Sequence, residues 1–474
     1  MTCCRPDRRD LLRLSAIVAG TSLVPLAGSR RAYASAVRPA NLELVTLTET
    51  SAIVTWYTGE PGTDDGLGRM KPAPADGEVV YGTRPGRLDR TAHGAADTAY
   101  HYVELTGLEP GRTYYYQARS GGRTATPTPV AGAAGGTAGS GTFAFRTPQP
   151  PPGRFLFSVA LCNDLHLGET VAGLVGGLPI PGISQIPGRP PYPEIMARAL
   201  VADARARGAT YLLAAGDVSS EAVPGDLGRA KELLDGFGAY RTDYFVTRGN
   251  HDRAHDGTAY QTCTTGQWQG HDCFRDGFFD ERTYFSRDLS GLHVIGLDTY
   301  DKPGDGGNAG GLSAEQLAWF EADLRAHKDQ PTLVFGHHPL VTPGDPMAVG
   351  GGRSIAAQQA VPIMAAYARA PGVFLHHAGH THRNKRTVLP GSPRVVQQEV
   401  GAVKEYPGGF TLLRVHSGGY ALNFYKTRSA LAREWSERSR QELGGLWPEL
   451  SFGPAVSDRG SVVARDLSGI TAPA

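Results

Sequence analysis

Two different patterns of apolar and polar residues divide this chain. Between residues 38 and 147 the segments SAIVTWYT, GEVVYGT, TAYHYVELTG, TYYYQARSG and GTFAFRT alternate apolar and polar positions, with turn residues between them. Period-two alternation puts one face of each strand in a core, so these segments predict a small all-β sandwich. From residue 155 the strands read instead as unbroken apolar runs: FLFSVAL, YLLAAGD, YFVTRGNHD, TLVFGHHP and FLHHAGH. Runs of this kind are buried on both faces. Between them ALVADARARG, DLGRAKELLDGFG and SAEQLAWFEADLRAHK carry helical spacing, the last with Leu317, Phe320 and Leu324 on one face. Alternating strand and helix patterns predict a layered α/β domain. YALNFYKT reads as its last strand, ALAREWSERSRQELGGLW as a following helix, and the Pro/Gly-rich end as a tail.

Punctuation sharpens these boundaries. TPQPPPG at residues 148–154 is an extended linker between a 38–147 unit and a 155–428 unit, and residues 429–474 form a C-terminal helix and tail. PVAGAAGGTAGSG reads as a long flexible hairpin loop, and the 62 glycines among 474 residues indicate many loops. A formal charge of +1 writes no attraction to nucleic acid or anionic membrane into the chain. No run is long enough to span a bilayer as a helix, and no solenoid-type repeat is present.

Chemistry gathers at the ends of the apolar runs. CNDLHLG carries Asp164 and His166, AAGDVSS carries Asp217, RGNHD carries Asn250 and His251, FGHHP carries His337, and AGHTH carries His380 and His382. Strand-end turns account for the glycines but not for the histidines beside them. Asp, Asn and His converging from successive strand ends are what a two-metal hydrolytic site needs, with one carboxylate shared by both ions. Nitrogen and oxygen donors without thiolate suit iron, manganese or zinc.

These five blocks, in this order, resemble the calcineurin-like metallophosphoesterases, a superfamily that includes purple acid phosphatases and class III phosphodiesterases. The resemblance covers about residues 155 to 415. It implies a four-layer α/β/β/α sandwich with a dinuclear site at the strand C-terminal ends. Carried over, Asp164, His166 and His382 hold one metal ion, Asn250, His337 and His380 hold the other, and Asp217 bridges them. His338, the neighbour of the ligand in FGHHP, is a packed or loop residue. The chemistry implied is attack on phosphorus by a water that two ions, about 3.5–4 Å apart, have acidified. His251 resembles the family's acid and phosphate-binding histidine. Trp56, Tyr81, Leu105, Leu108, Pro110, Tyr114 and Tyr116 stand as in fibronectin type III domains, and residues 38–147 resemble the N-terminal domain of purple acid phosphatases.

Two departures separate the chain from the purple enzymes. Ser220 stands where their colour-giving tyrosine ligand stands, and DxH replaces DxG, so the expectation is a colourless enzyme less committed to ferric iron. Ala222 occupies the position of an acid that often orients their catalytic histidine, with Glu221 beside it. The substrate expected is a small phosphate monoester; the DxH pair also resembles cyclic-nucleotide and glycerophosphodiester phosphodiesterases, which makes diesters the alternative. A cell-surface binding protein with a retired hydrolase domain would lack a ligand, and none is missing.

Before residue 36, Arg8 and Arg9 precede the apolar stretch LSAIVAGTSLVPLAG, and Ala32-Tyr33-Ala34 or Ala34-Ser35-Ala36 offers small residues for cleavage. The pattern resembles a twin-arginine export signal over residues 1–36, and implies a secreted protein. In that setting Cys263 and Cys273 are expected to bridge within one loop. Cys162, beside Asp164, is expected to be buried. Three irregular segments should border the site: VAGLVGGLPIPGISQIPGRPPYPE, the loop with Cys263 and Cys273, and VTPGDPMAVGGGRS.

Overall fold

The computed structural model describes residues 37–63, 69–127, 141–173, 181–253, 273–278, 282–302, 308–340, 352–445 and 448–473. The export segment, the Cys263–Cys273 pairing and most of the Gly/Ala-rich hairpin loop lie outside them.

The alternating region folds as the two-sheet sandwich its pattern demands. Strands Arg38–Leu47, Ala52–Gly59 and Tyr100–Leu105 form one sheet; Arg90–His93, Glu78–Gly82, Thr113–Ser120, Arg123–Thr124 and Phe143–Arg146 form the other. Every second residue of Thr113–Ser120 is buried. The inward set includes Trp56, Leu105, Tyr114 and Tyr116, all at most 1% exposed, so these aromatic residues are core. The Tyr114 hydroxyl accepts from the Glu109 amide at 2.9 Å and ties the strand to the preceding turn.

The second region is built on two six-stranded sheets. The first runs Tyr244–Thr247, Tyr211–Ala215, Phe155–Cys162, Gly409–His416, Gly419–Lys426, Gly460–Ala464. Its first three strands are parallel and the rest antiparallel. The second runs Phe285–Leu289, Leu292–Gly296, Thr332–Phe335, Val373–Ala378, Val396–Glu399, Lys385–Val388, parallel in its four inner strands. One core joins the facing sides: Leu161, Leu213 and Leu413 of the first sheet with Val294, Phe335 and Leu375 of the second. Met196, Leu200, Leu234 and Trp435, from helices Tyr192–Ala206, Pro224–Asp235 and Ala430–Ser439, cover the outside of the first sheet. A separate core joins Ile295, Val334 and Val373 to Phe320, Leu324, Ile363 and Tyr367 of helices Ala314–Ala326 and Ala357–Arg369. The layers are therefore α/β/β/α. Neighbouring residues such as Val294 and Ile295 serve opposite cores, which is why the strands read as unbroken apolar runs.

Two details differ from the sequence pattern. Gly419–Lys426 is not the last strand, because Gly460–Ala464 pairs outside it. That five-residue edge strand is half-buried and does not alternate, so it left no period to read. The C-terminal helix also stops at Ser439; a 3-10 turn, Glu442–Gly445, and a short helix, Pro448–Phe452, follow. The glycine pair at 444–445 favours such a break over a continuous helix.

Candidate metal centre

The parallel strands of both sheets end on one side of the molecule, and the five blocks are the loops they end in. These loops bond to one another. The amides of Asp164, Leu165 and His166 donate to the carbonyls of Gly216 and Asp217, at 2.8 to 3.0 Å. Such crossing requires glycine in two places. Gly216 has φ +76°, and a Cβ on Gly249 would lie 2.1 Å from Asp217 Oδ1. Five of the eleven described non-glycine residues with positive φ are Asp164, His166, Asp217, His380 and His382. Each such residue costs of order 1–3 kcal/mol and persists only where its surroundings fix it. The fold therefore holds a strained cluster at this one place.

The side chains meet on two buried carboxylates. Asp164 Oδ1 lies 3.0 Å from His382 Nε2, 3.6 Å from His166 Nε2 and 4.0 Å from His337 Nε2. Asp217 Oδ2 lies 2.9 Å from His337 Nε2 and 3.6 Å from His166 Nε2. His380 Nδ1 lies 3.2 Å from His337 Nε2. Asn250, buried at the start of the turn Asn250–Asp252, lines the same cleft of about 800 Å³ with His251.

The far nitrogen of three imidazoles is hydrogen-bonded, and that of the fourth, His166, lies beside a carboxylate without a hydrogen bond. His337 Nδ1 faces the Ala215 carbonyl at 2.8 Å, and His380 Nε2 the Gly352 carbonyl at 2.8 Å. His382 Nδ1 meets Glu405 Oε1 at 2.5 Å, and His166 Nδ1 meets Glu169 Oε2 at 3.1 Å. An N–H donated outward leaves the inward nitrogen as a lone pair, the usual arrangement of a metal-binding histidine. Asp164 Oδ1 accepts no hydrogen bond although it is wholly buried. Burial opposes the charge of Asp164 and Asp217, yet the facing histidines outweigh it and hold both carboxyls well below the usual range. The carboxylates in turn outweigh burial and raise His166, His337 and His382; metal ions would displace those protons and balance the same charges, so the donor set fits metal ions.

His251 belongs to the cleft but is held differently. Its amide donates to Asp217 Oδ1 at 2.8 Å, and its Nδ1 faces the Ser220 carbonyl at 2.7 Å. A backbone carbonyl thus orients the ring from the turn that places Ala222 where the purple enzymes carry an acid. His338 is a packed residue: its Nδ1 meets Thr299 Oγ1 at 2.8 Å and its Nε2 the Asn308 carbonyl at 2.9 Å. With both nitrogens engaged it has no lone pair for the site, close though it stands to His337 and His380. A further trio, His293, Asp323 and His327, sits at the opposite end of the second sheet. Its imidazoles stack 4.1 Å apart at 23°, so their lone pairs do not converge.

Several supporting residues carried no sequence signal. Lys404 Nζ bonds Glu169 at 2.6 Å and Glu405 at 3.2 Å, joining the two carboxylates beside His166 and His382. Asp252 accepts from the amides of Val218, Ser219 and Gly249 at 2.8 to 3.2 Å and fixes the turn after Asp217. The last residue of RGNHD was the only hint of it. Of the three bordering segments, the first is anchored: Val171–Ala172 pairs with Ile183–Ser184, and Ala172 and Ile183 enter the main core. Residues 174–180, 254–272 and 341–351 lie outside the described set. Cys162 is buried and unbridged, and burial pushes its thiol up beyond reach of ionisation.

Comparison with known proteins gives this geometry a family. Residues 38–147 match the purple acid phosphatase N-terminal domain, and residues 157–384 match the calcineurin-like phosphoesterases. A curated relative, "Probable glycerophosphodiester phosphodiesterase GpdQ" of Arcobacter nitrofigilis, is 28% identical over 147 residues, 31% of this chain and 47% of that protein. The chain thus spans about half the length of that relative. Among solved structures, purple acid phosphatase PPD1 from yellow lupin seeds aligns over 92% of this chain and 77% of its own, at 15% identity and TM-score 0.42. A dimetal phosphatase from Danio rerio aligns over 58% of this chain and 98% of its own, at 15% identity and TM-score 0.42. PhoD aligns over 90% and 88%, at 11% identity and TM-score 0.40. Residues 157–384 thus form a calcineurin-like phosphoesterase domain, and residues 38–147 ahead of it match the N-terminal domain of the purple acid phosphatases.

Proposed function

We propose that this protein hydrolyses small phosphate monoesters at a dinuclear centre of iron, manganese or zinc. The observation that carries this reading is the set of four imidazoles, three of them hydrogen-bonded at the far nitrogen, around the buried carboxylates of Asp164 and Asp217. Asp164, His166 and His382 would hold one ion, Asn250, His337 and His380 the other, with Asp217 between them. Ions bound there would supply an acidified water as nucleophile and charge to neutralise the phosphoryl oxygens. The protein's own part is orientation. Glu169 lies beside His166, Glu405 fixes His382, and the Ala215 and Gly352 carbonyls fix His337 and His380.

His251 is the proton donor to the leaving oxygen. Burial brings its imidazole down to about 4 in the free cleft. A phosphoryl dianion beside the ring favours the charged form, which then holds a proton for the departing alkoxide. The purple acid phosphatase-type N-terminal domain supports monoesters as substrates. His166, the DxH histidine, and the curated relative's name support diesters as the second reading. Comparing kcat/KM for p-nitrophenyl phosphate and bis-p-nitrophenyl phosphate on one preparation decides between them, the monoester being expected to lead. Ser220 in place of a phenolate ligand makes the purified enzyme colourless; a visible charge-transfer band would contradict the assignment. We propose further that Arg8, Arg9 and the apolar stretch behind them direct twin-arginine export. Substituting both arginines by lysine should retain the protein in the cytoplasm.

A further inference from the structure

The N-terminal sandwich reaches the site through one buried carboxylate. Glu43, on the strand Arg38–Leu47, is 3% exposed and points out of its own domain into the catalytic one. Its Oε1 accepts from the Tyr406 hydroxyl at 2.5 Å, and its Oε2 from Lys426 Nζ at 2.5 Å; Arg440 Nε stands 3.5 Å from Oε1. Burial opposes its charge, but Lys426 and Arg440 outweigh burial and hold the carboxyl down at about 2. Lys426 also lies over the Tyr406 ring, 4.4 Å from its centroid.

Tyr406 ends a short segment, residues 403–406, that runs from this junction to the metal centre. The amides of Val403 and Lys404 donate to the carbonyls of Asn163 and Asp164, each at 3.1 Å. Lys404 Nζ holds Glu169, whose Oε2 lies 3.1 Å from His166 Nδ1. Glu405, the residue before Tyr406, holds His382. On the outer side, Trp435 Nε1 donates to the Lys404 carbonyl at 2.6 Å, and the Tyr406 amide donates to Ser439 Oγ at 2.9 Å. The segment therefore sets the orientation of the His382 imidazole and the charge beside His166, both of which converge on Asp164, and the sandwich clamps its far end.

We infer that Glu43 and Tyr406 are positioning residues for the metal centre, so that the N-terminal domain is a working part of the catalytic unit. This inference rests on the reading of Asp164, His166 and His382 as metal ligands. Removing the Tyr406 hydroxyl frees the end of the segment, and Glu405 then aims the His382 lone pair less well. Groups that orient metal ligands through hydrogen bonds typically change metal affinity about 10–100-fold when removed.

The test uses the full chain and its Tyr406→Phe and Glu43→Gln variants, stripped with chelator and titrated with manganese and separately with zinc. Tyr406→Phe keeps the ring and its contacts, and serves if Glu43→Gln does not fold. A wild-type chain that takes up two ions, and a folded Tyr406→Phe variant whose weaker ion binds about tenfold less tightly with activity restored by excess metal, is the expected result. Wild-type affinity for both ions in folded Tyr406→Phe overturns the inference, whatever its thermal stability. A wild-type chain that takes up neither ion overturns it too, and with it the metal-site reading.

Discussion

His251 and Asp217 do separable work, and single substitutions should show it. Asp217 lies between the two proposed ligand groups, 2.9 Å from His337 and 3.6 Å from His166. Asp217→Asn removes the shared charge, so activity should fall to background and the metal content of both sites should drop, read by elemental analysis. His251 contacts the loop through Asp217 and the Ser220 carbonyl. His251→Ala should keep both ions while turnover falls about 10²–10⁴-fold, the usual contribution of a positioned proton donor. Normal turnover in that variant would remove His251 from the mechanism. His338 marks the boundary of the site: His338→Ala should keep both ions, and leave Thr299 and the Asn308 carbonyl without their partner at a cost of about 1–3 kcal/mol in denaturant unfolding.

At the scale of elements, the site is a set of strand-end loops that touch, and their glycines are where it is most easily broken. A Cβ on Gly249 would meet Asp217 Oδ1 at 2.1 Å and the Asp217 amide nitrogen at 2.4 Å. Backbone cannot yield as a flexible side chain can, so Gly249→Ala should lose about 1–3 kcal/mol of stability and most of its bound metal. A variant with full metal content would show that the loops have more room than this contact allows. The same loops explain what was legible in the sequence. GD, GNHD and GHTH put glycine, needed for close approach, beside the proposed ligands, and each follows a strand buried on both faces. Glu169, Lys404 and Glu405 gave no such signal. Glu169 sits more than two hundred residues from Lys404 and Glu405, and they meet because the first sheet brings Phe155–Cys162 beside Gly409–His416. Gly460–Ala464 was hidden for another reason: a half-buried edge strand needs neither alternation nor an apolar run.

Across the whole molecule, the linker of prolines reads as a separation, but the two domains share a charged interior. Glu43 faces Lys426 and Arg440, Arg414 pairs with Glu49 at 2.6 Å, and Arg459 Nη2 donates to the Leu44 carbonyl at 3.1 Å. Breaking a buried pair leaves its partner uncompensated, so Glu43→Gln should lose about 3–5 kcal/mol. The junction also carries a pH dependence. The Glu43 carboxyl is held at about 2 in the fold against an ordinary 4.5. As pH falls through 4.5 the unfolded chain takes up its proton first, so this stabilisation, complete above 4.5, is lost towards 2. Wild type should therefore lose more stability than Glu43→Gln over that window; parallel curves would deny Glu43 the role.

The most direct measurement takes the chain from about residue 37 to 474, purified without chelator, and counts its metal ions while assaying both p-nitrophenyl esters. Near two ions per chain, with turnover that chelation abolishes and manganese, iron or zinc restores, is the expected result. No bound metal and no turnover of either ester after those additions would contradict a dinuclear phosphoesterase.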